Sequence, residues 1–160
     1  MTPEEIFVRY SLSCLEDLCD TLKQVSEEEK KDIQMRYHTH LPISEEQLRR
    51  IFPAAFRRLA ERFGKDYWNM ANVREYFVRY HNEYIDAGDG KYSFADDNIK
   101  YWCKVRIAHV EEVMGNIAVL NYEGHDPKRD QSRRFVNEHN LDLKAGDKVT
   151  THWRSIIEKL

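Results

Sequence analysis

The feature that most constrains this chain is a change in the period of its hydrophobic pattern. Up to Gly88 the apolar side chains recur at helical spacing, whereas after Tyr101 they alternate and β-branched residues become frequent. Asp86-Ala-Gly-Asp-Gly90 lies between the two patterns as a turn cluster. The expected organisation is therefore helices first and strands second. The boundary falls in the stretch from Gly88 to Asn98, giving a helical region over 1–98 and a β region over 99–160.

The helical region carries its own start and stop signals. Thr2-Pro-Glu-Glu5 is a capping box with proline at the first helical position, and Ile6, Tyr10, Leu15, Leu18, Leu22 and Val25 follow on one face. Ser26 can cap the run Glu27-Glu28-Glu29, in a helix that stops before Pro42. Ser44-Glu-Glu-Gln47 is a second capping box leading toward Gly64, with Pro53 marking either a kink or a split. Asn72 is a candidate cap for a last helix bearing Tyr76, Phe77, Tyr80 and Tyr84, so about four helices are expected.

In the β region, Cys103 to Val113 reads as a strand, Gly115-Asn116 as a two-residue hairpin turn and Ile117 to Tyr122 as the return strand. Arg133 to Val136 forms a third strand, and Ala145-Gly-Asp147 turns into Lys148 to Trp153. Four or five short strands with close turns suggest a small closed or half-closed barrel. Such a barrel could bring the Cys103 thiol and the His152 imidazole together from opposite ends of the region.

These residues resemble the HypC/HupF family of hydrogenase maturation chaperones. The likeness runs through Cys103, Val110 and Val113, the hairpin Gly115-Asn116, the strand Ala118-Val119-Leu120, and Gly146-Asp147-x-Val149-x-x-His152. The tail Ile156-Ile-Glu-Lys-Leu160 fits that family's closing helix. The resemblance covers about residues 103–160 and implies a small barrel chaperone. Such a protein handles the iron, cyanide and carbon monoxide fragment of nickel-iron hydrogenases, or docks on the hydrogenase large-subunit precursor or another maturation factor. By match, Cys103 is the attachment point and His152 its companion, with a transient iron fragment as cargo. The chemistry is consistent, because a thiolate is a soft ligand and a nearby imidazole can be a second ligand or lower the thiol's pKa. The structural alternative is a small buried Cys103 at a strand start and a hydrogen-bonded His152 at a strand end.

The remaining candidates point elsewhere. Arg50, Arg57, Arg58 and Arg62 can share one broad helix face and, with Lys128, Arg129, Arg133 and Arg134 in the barrel, they offer a nucleic-acid-binding alternative. Neighbouring Glu45, Glu46 and Glu61 favour a salt-bridged surface instead. His38-Thr-His40 reads as a surface loop and His81 as part of an aromatic helix face. Cys14, Cys19 and Cys103 are an odd number spread over both regions, which argues against a disulfide framework. The net charge of -3 is too mild to announce nucleic acid. Neither a secretory signal nor a membrane-spanning run is read in the sequence, so a cytoplasmic protein is expected. No nucleophile motif or phosphate loop is recognised, and a non-enzymatic protein is expected. The overall expectation is α+β, an N-terminal helical bundle followed by a small OB-like β-barrel.

Overall fold

Thr2 starts the first helix with the reciprocal bonds its sequence encodes. A computed structural model describes residues 1–122 and 133–160. Thr2 Oγ1 accepts the Glu5 amide at 3.2 Å, the Glu5 carboxylate accepts the Thr2 amide at 2.7 Å, and helix Pro3–Ser11 follows. Beyond Ser11 the apolar face continues in shorter pieces, Cys14–Glu16 and the π-helical Asp17–Thr21, rather than as one long helix. Ser26 caps Glu27–His38 through the Glu29 amide, and Ser44 caps Glu45–Ile51 through the Gln47 amide.

Pro53 splits its helix instead of kinking it. Phe52 leaves the helical region at φ -120° and ψ 51°, and Pro53 begins a new helix, Pro53–Phe63, where its missing N–H costs nothing. The cap expected at Asn72 falls at Asn69, whose Oδ1 accepts the Asn72 amide at 2.9 Å and starts Met70–Glu75. Asn69 is extended and within reach of the third helical amide, so the upstream of the two asparagines takes the role. A π-helical turn, Tyr76–Tyr80, follows.

The chain divides into two compact units, Met1–Tyr80 and His81–Leu160. The composition boundary after Asn98 thus lies within the second unit. The first unit is helical, and its interior is strongly aromatic. The Phe7 ring lies 5.4 Å from Phe52, 5.1 Å from Phe56 and 5.5 Å from Phe77, in tilted or edge contacts that suit ring quadrupoles. Ile6, Leu15, Leu48, Leu59 and Val73 have no exposed surface.

The second unit opens with helix His81–Asp86 and closes on a five-stranded barrel. Gly88, at φ +68°, stops the helical run, and a short helix, Asp97–Trp102, is capped by Asp96 through the Ile99 amide. The strands are β1 Arg106–Met114, β2 Ile117–Tyr122, β3 Arg134–Val136, β4 Lys148–His152 and β5 Ser155–Lys159. They close in the order β1-β2-β3-β5-β4, with β1 pairing β4. All pairs are antiparallel except β3 with β5. Ala108, Val110, Ala118, Leu120, Val149 and Ile156 alternate inward and, with Phe135, fill the barrel.

Two sequence expectations change here. Cys103 does not open a strand; it caps the end of Asp97–Trp102, and β1 begins three residues later. The tail from Ile156 is a strand, not a helix, because its β-branched pair supplies inward surface and β5 closes the barrel between β3 and β4. The described part of the protein is a mixed α+β structure with a closed barrel in its C-terminal half. None of the described helices is long and apolar enough to cross a membrane.

Candidate functional site

Helix His81–Asp86 grips the three residues that precede β1. The His81 Nε2 lies 3.1 Å from the Cys103 carbonyl oxygen. A carbonyl only accepts, so this nitrogen carries the proton and donates. Next along, the Asn82 side-chain amide donates to the Val105 carbonyl at 2.8 Å and accepts the Val105 N–H at 2.9 Å. The Asn82 amide therefore completes the backbone bonding of Val105 as a neighbouring strand would. Lys104, between them, pairs with Asp86 at 2.7 Å.

The same histidine reaches the end of β4. The His81 and His152 rings stand edge to face with centroids 5.6 Å apart. His81 thus contacts both residues singled out by the sequence, through the Cys103 backbone and the His152 ring. The site is enclosed. Cys103 and His152 have no exposed surface, and Cys103 packs with Ile85 and Tyr92, flanked by Ile99 and Trp153. A soft thiolate and an imidazole are suitable donors for a low-spin iron fragment, but the fragment could meet this thiol only after the residues over it move.

The Gly146-Asp147-x-Val149-x-x-His152 run can be read position by position. Gly146 sits at φ +91°, where a side chain is strained, and its N–H donates to the Val110 carbonyl at 2.8 Å. The Asp147 carboxylate accepts the Lys144 amide at 2.8 Å and pairs with Lys159 at 2.7 Å, stapling the turn to the last strand. The Lys159 bond, and next the Lys144 amide, hold the Asp147 carboxyl below the ordinary aspartate range. Val149 is wholly buried in the barrel. The first three signature positions are thus accounted for by folding, and His152 is wholly buried with its ring against His81.

No family model, curated protein or solved structure matches the chain. The functional reading therefore rests on this geometry and on the motif itself.

The arginines of the alternative reading do not form a free basic face. Arg50 pairs with Glu29, Arg57 pairs with Glu61 at 2.7 Å, and Arg58 is buried. The Arg62 guanidinium lies 3.8 Å from the centre of the Tyr80 ring. In the barrel, Arg133 pairs with Glu111 at 3.0 Å, and Arg134 is exposed on β3. Lys128 and Arg129 lie outside the described residues. His38 and His40 are exposed at the end of their helix, as a surface loop requires.

Another thiol has carboxylates beside it. The candidate ligand atoms of Cys19, Asp20 and Glu27 lie within 4.8 Å of one another. Lys30 already supplies the positive charge, 3.0 Å from Glu27 and 3.7 Å from Asp20. Burial and then the Glu27 hydrogen bond raise the Cys19 pKa, so the thiol keeps its proton and donates to Glu27 at 3.2 Å. The geometry is that of a hydrogen-bonded ion pair.

Sequence reasoning missed His81 and Asn82 as organisers of the Cys103 segment. Their helical spacing grouped His81 with Tyr80 and Tyr84, and nothing local announces that both residues bond backbone twenty-odd positions away. It also missed Trp153 and Arg154, which form the tight turn joining β4 to β5. The clue available was the unusual placing of a tryptophan beside the signature histidine.

Proposed function

We propose that this protein is a non-enzymatic accessory binding protein related to the HypC/HupF hydrogenase maturation chaperones. It docks a protein partner at the end of the barrel that holds Cys103 and His152. The observation that carries the reading is that both residues contact one buried histidine, His81, although they lie 49 positions apart in sequence. The strand order, with its single parallel pair between β3 and β5, supports an OB-like identity for the barrel. In OB-type barrels the turn between the fourth and fifth strands belongs to the binding surface, and here that turn is Trp153-Arg154. An N-terminal helical bundle completes the proposed architecture.

The partner in this reading is a hydrogenase large-subunit precursor or another maturation factor. The thiol is closed over in the described conformation, so transfer of an iron fragment at Cys103 follows partner-induced opening of the Ile85 and Tyr92 cover. Nucleic-acid binding draws less support, since the helical arginines are occupied by carboxylates, a ring or burial.

The test is capture of the large-subunit precursor from an extract of hydrogenase-producing cells, using the full chain as bait. Wild type captures the precursor; Cys103→Ala and His152→Asn, verified as folded by their unfolding transitions, lose most of that capture. Unchanged capture by both folded variants overturns the reading.

A further inference from the structure

Beside the closed thiol, the second unit has a narrow crevice of about 10 Å³, walled by rings and carrying cationic and hydroxyl groups, whose interior admits about one oxygen-sized group. Tyr101, Trp102, Lys104, Arg106, Tyr122 and Trp153 line it, and no Asp or Glu is among its lining residues. Lys104 is already neutralised by Asp86, but Arg106 meets no carboxylate among the described residues. Its guanidinium lies 3.7 Å from the Tyr101 ring centre and 5.2 Å from that of Tyr122, and one of its N–H groups donates to the Tyr101 carbonyl at 3.1 Å. Stacking on rings fixes the plane of the fork, and among the described residues the remaining N–H groups face no carboxylate, which suits a planar two-oxygen acceptor.

Two further observations point to an incoming acceptor. The Trp153 indole N–H is enclosed and has no hydrogen-bond partner among the described residues. Buried donors are rarely left so without a reason. Trp153 also sits at φ +53°, a backbone region that bulky residues seldom occupy and that concentrates at binding sites. Its backbone N–H donates to the Trp102 carbonyl at 3.1 Å, which anchors the strained residue beside the cleft. Next to it, Arg154 is exposed, meets no carboxylate among the described residues and lies 5.1 Å from the Trp102 ring centre.

We propose that this cleft binds a carboxylate on an extended acidic segment of a protein partner, with Arg106 as the bidentate clamp. The inference rests on the reading of the protein as a partner-docking module and names the chemistry by which the partner is held. Apolar neighbours of the acidic residue lie against the rings, and Arg154 adds positive potential at the rim. A nucleic-acid strand is disfavoured by charge. Residues 81–160 carry 12 Lys and Arg against 14 Asp and Glu, which suits recognition of single carboxylates better than of a polyanion.

The experiment follows the indole N–H resonances of the full, nitrogen-labelled chain, whose three tryptophans give three signals. Trp153 is assigned by its loss in Trp153→Phe. The probes are a short peptide of alternating leucine and glutamate, the same peptide with glutamine for glutamate, and a short single strand of deoxythymidine. The acidic peptide shifts the Trp153 signal saturably, and the glutamine peptide binds about tenfold more weakly or worse. Arg106→Gln and Arg106→Lys, each with an unchanged thermal transition, both lose most of the affinity, because lysine keeps the charge but not the fork. No saturable shift, equal binding of the glutamine peptide, or binding of the deoxythymidine strand in preference to the peptide overturns the proposal. If peptide binding fails while the large-subunit precursor is still captured, only this inference falls. If peptide binding holds while capture fails, the maturation reading falls and the carboxylate site stands.

Discussion

His81 donates a 3.1 Å hydrogen bond to the Cys103 carbonyl and presents its ring to His152 at 5.6 Å. One helix residue therefore fixes both the entry to β1 and the exit from β4. The donor atom also fixes a proton on Nε2, since the carbonyl can only accept. The Cys103 backbone and the His152 ring are thus both held by a residue outside the signature, on the helix that opens the second unit.

Removing that donor has a defined consequence. His81→Ala leaves the Cys103 carbonyl without its donor in a closed interior and opens space beside His152. A loss of about 1–3 kcal/mol in unfolding free energy is expected from the unsatisfied acceptor alone. Chemical denaturation followed by tryptophan fluorescence measures it. A loss within experimental error would mean that the Cys103 carbonyl finds another partner without cost.

Asn82 is expected to matter as much, although it is only half-buried. Its amide serves both the N–H and the carbonyl of Val105, so Asn82→Ala strands two backbone groups at once. Asn82→Asp keeps the acceptor and removes the donor. The expected order of stability is wild type, then Asp, then Ala, with the alanine variant down by about 1–3 kcal/mol or more. An aspartate variant as unstable as alanine would show that the donated bond to the Val105 carbonyl carries the effect.

How legible this was in the sequence depends on whether the bonds are local. The caps at Thr2, Ser26 and Ser44 were readable because each capping side chain bonds an amide three residues on. The hairpin at Gly115 and the turn at Gly146 were readable because glycine marks positive φ. The strand identity of the tail was not, since a short apolar run fits a helix or a strand until a partner is known. His81 and Asn82 act over 22 and 23 positions, and a helical period cannot report such bonds. The signature histidine was found by pattern, but its burial and its ring contact with His81 follow from packing against a helix that the signature does not contain.

The Gly146-Asp147 turn yields two separable predictions. A methyl group at position 146 would meet nothing within 4 Å, so Gly146→Ala costs only the strain of φ +91°, about 1–2 kcal/mol. Asp147 acts through charge instead. Its carboxyl is held below the unfolded value, so its contribution is complete above about pH 4 and is lost as pH falls through the folded value. Stability measured from pH 7 downward should therefore fall less steeply in Asp147→Asn than in wild type below about pH 4. The variant should also start lower at pH 7. Parallel acid limbs would show that the pair with Lys159 is not maintained in solution.

The closed thiol gives the prediction closest to function. Cys103 has no exposed surface, so a thiol reagent can reach it only when the cover of Ile85 and Tyr92 opens or the unit unfolds. In the native protein its labelling, located by peptide mass spectrometry, should be slow and should accelerate with denaturant. His81→Ala weakens the closed arrangement by about 1–3 kcal/mol, so opening becomes roughly five- to 150-fold more populated and labelling accelerates by that factor. The large-subunit precursor should produce the same acceleration in the wild-type chain if docking opens the site. Labelling that stays slow with the precursor bound would make Cys103 a structural residue. The proposal would then reduce to docking through the barrel surface, without transfer at the thiol.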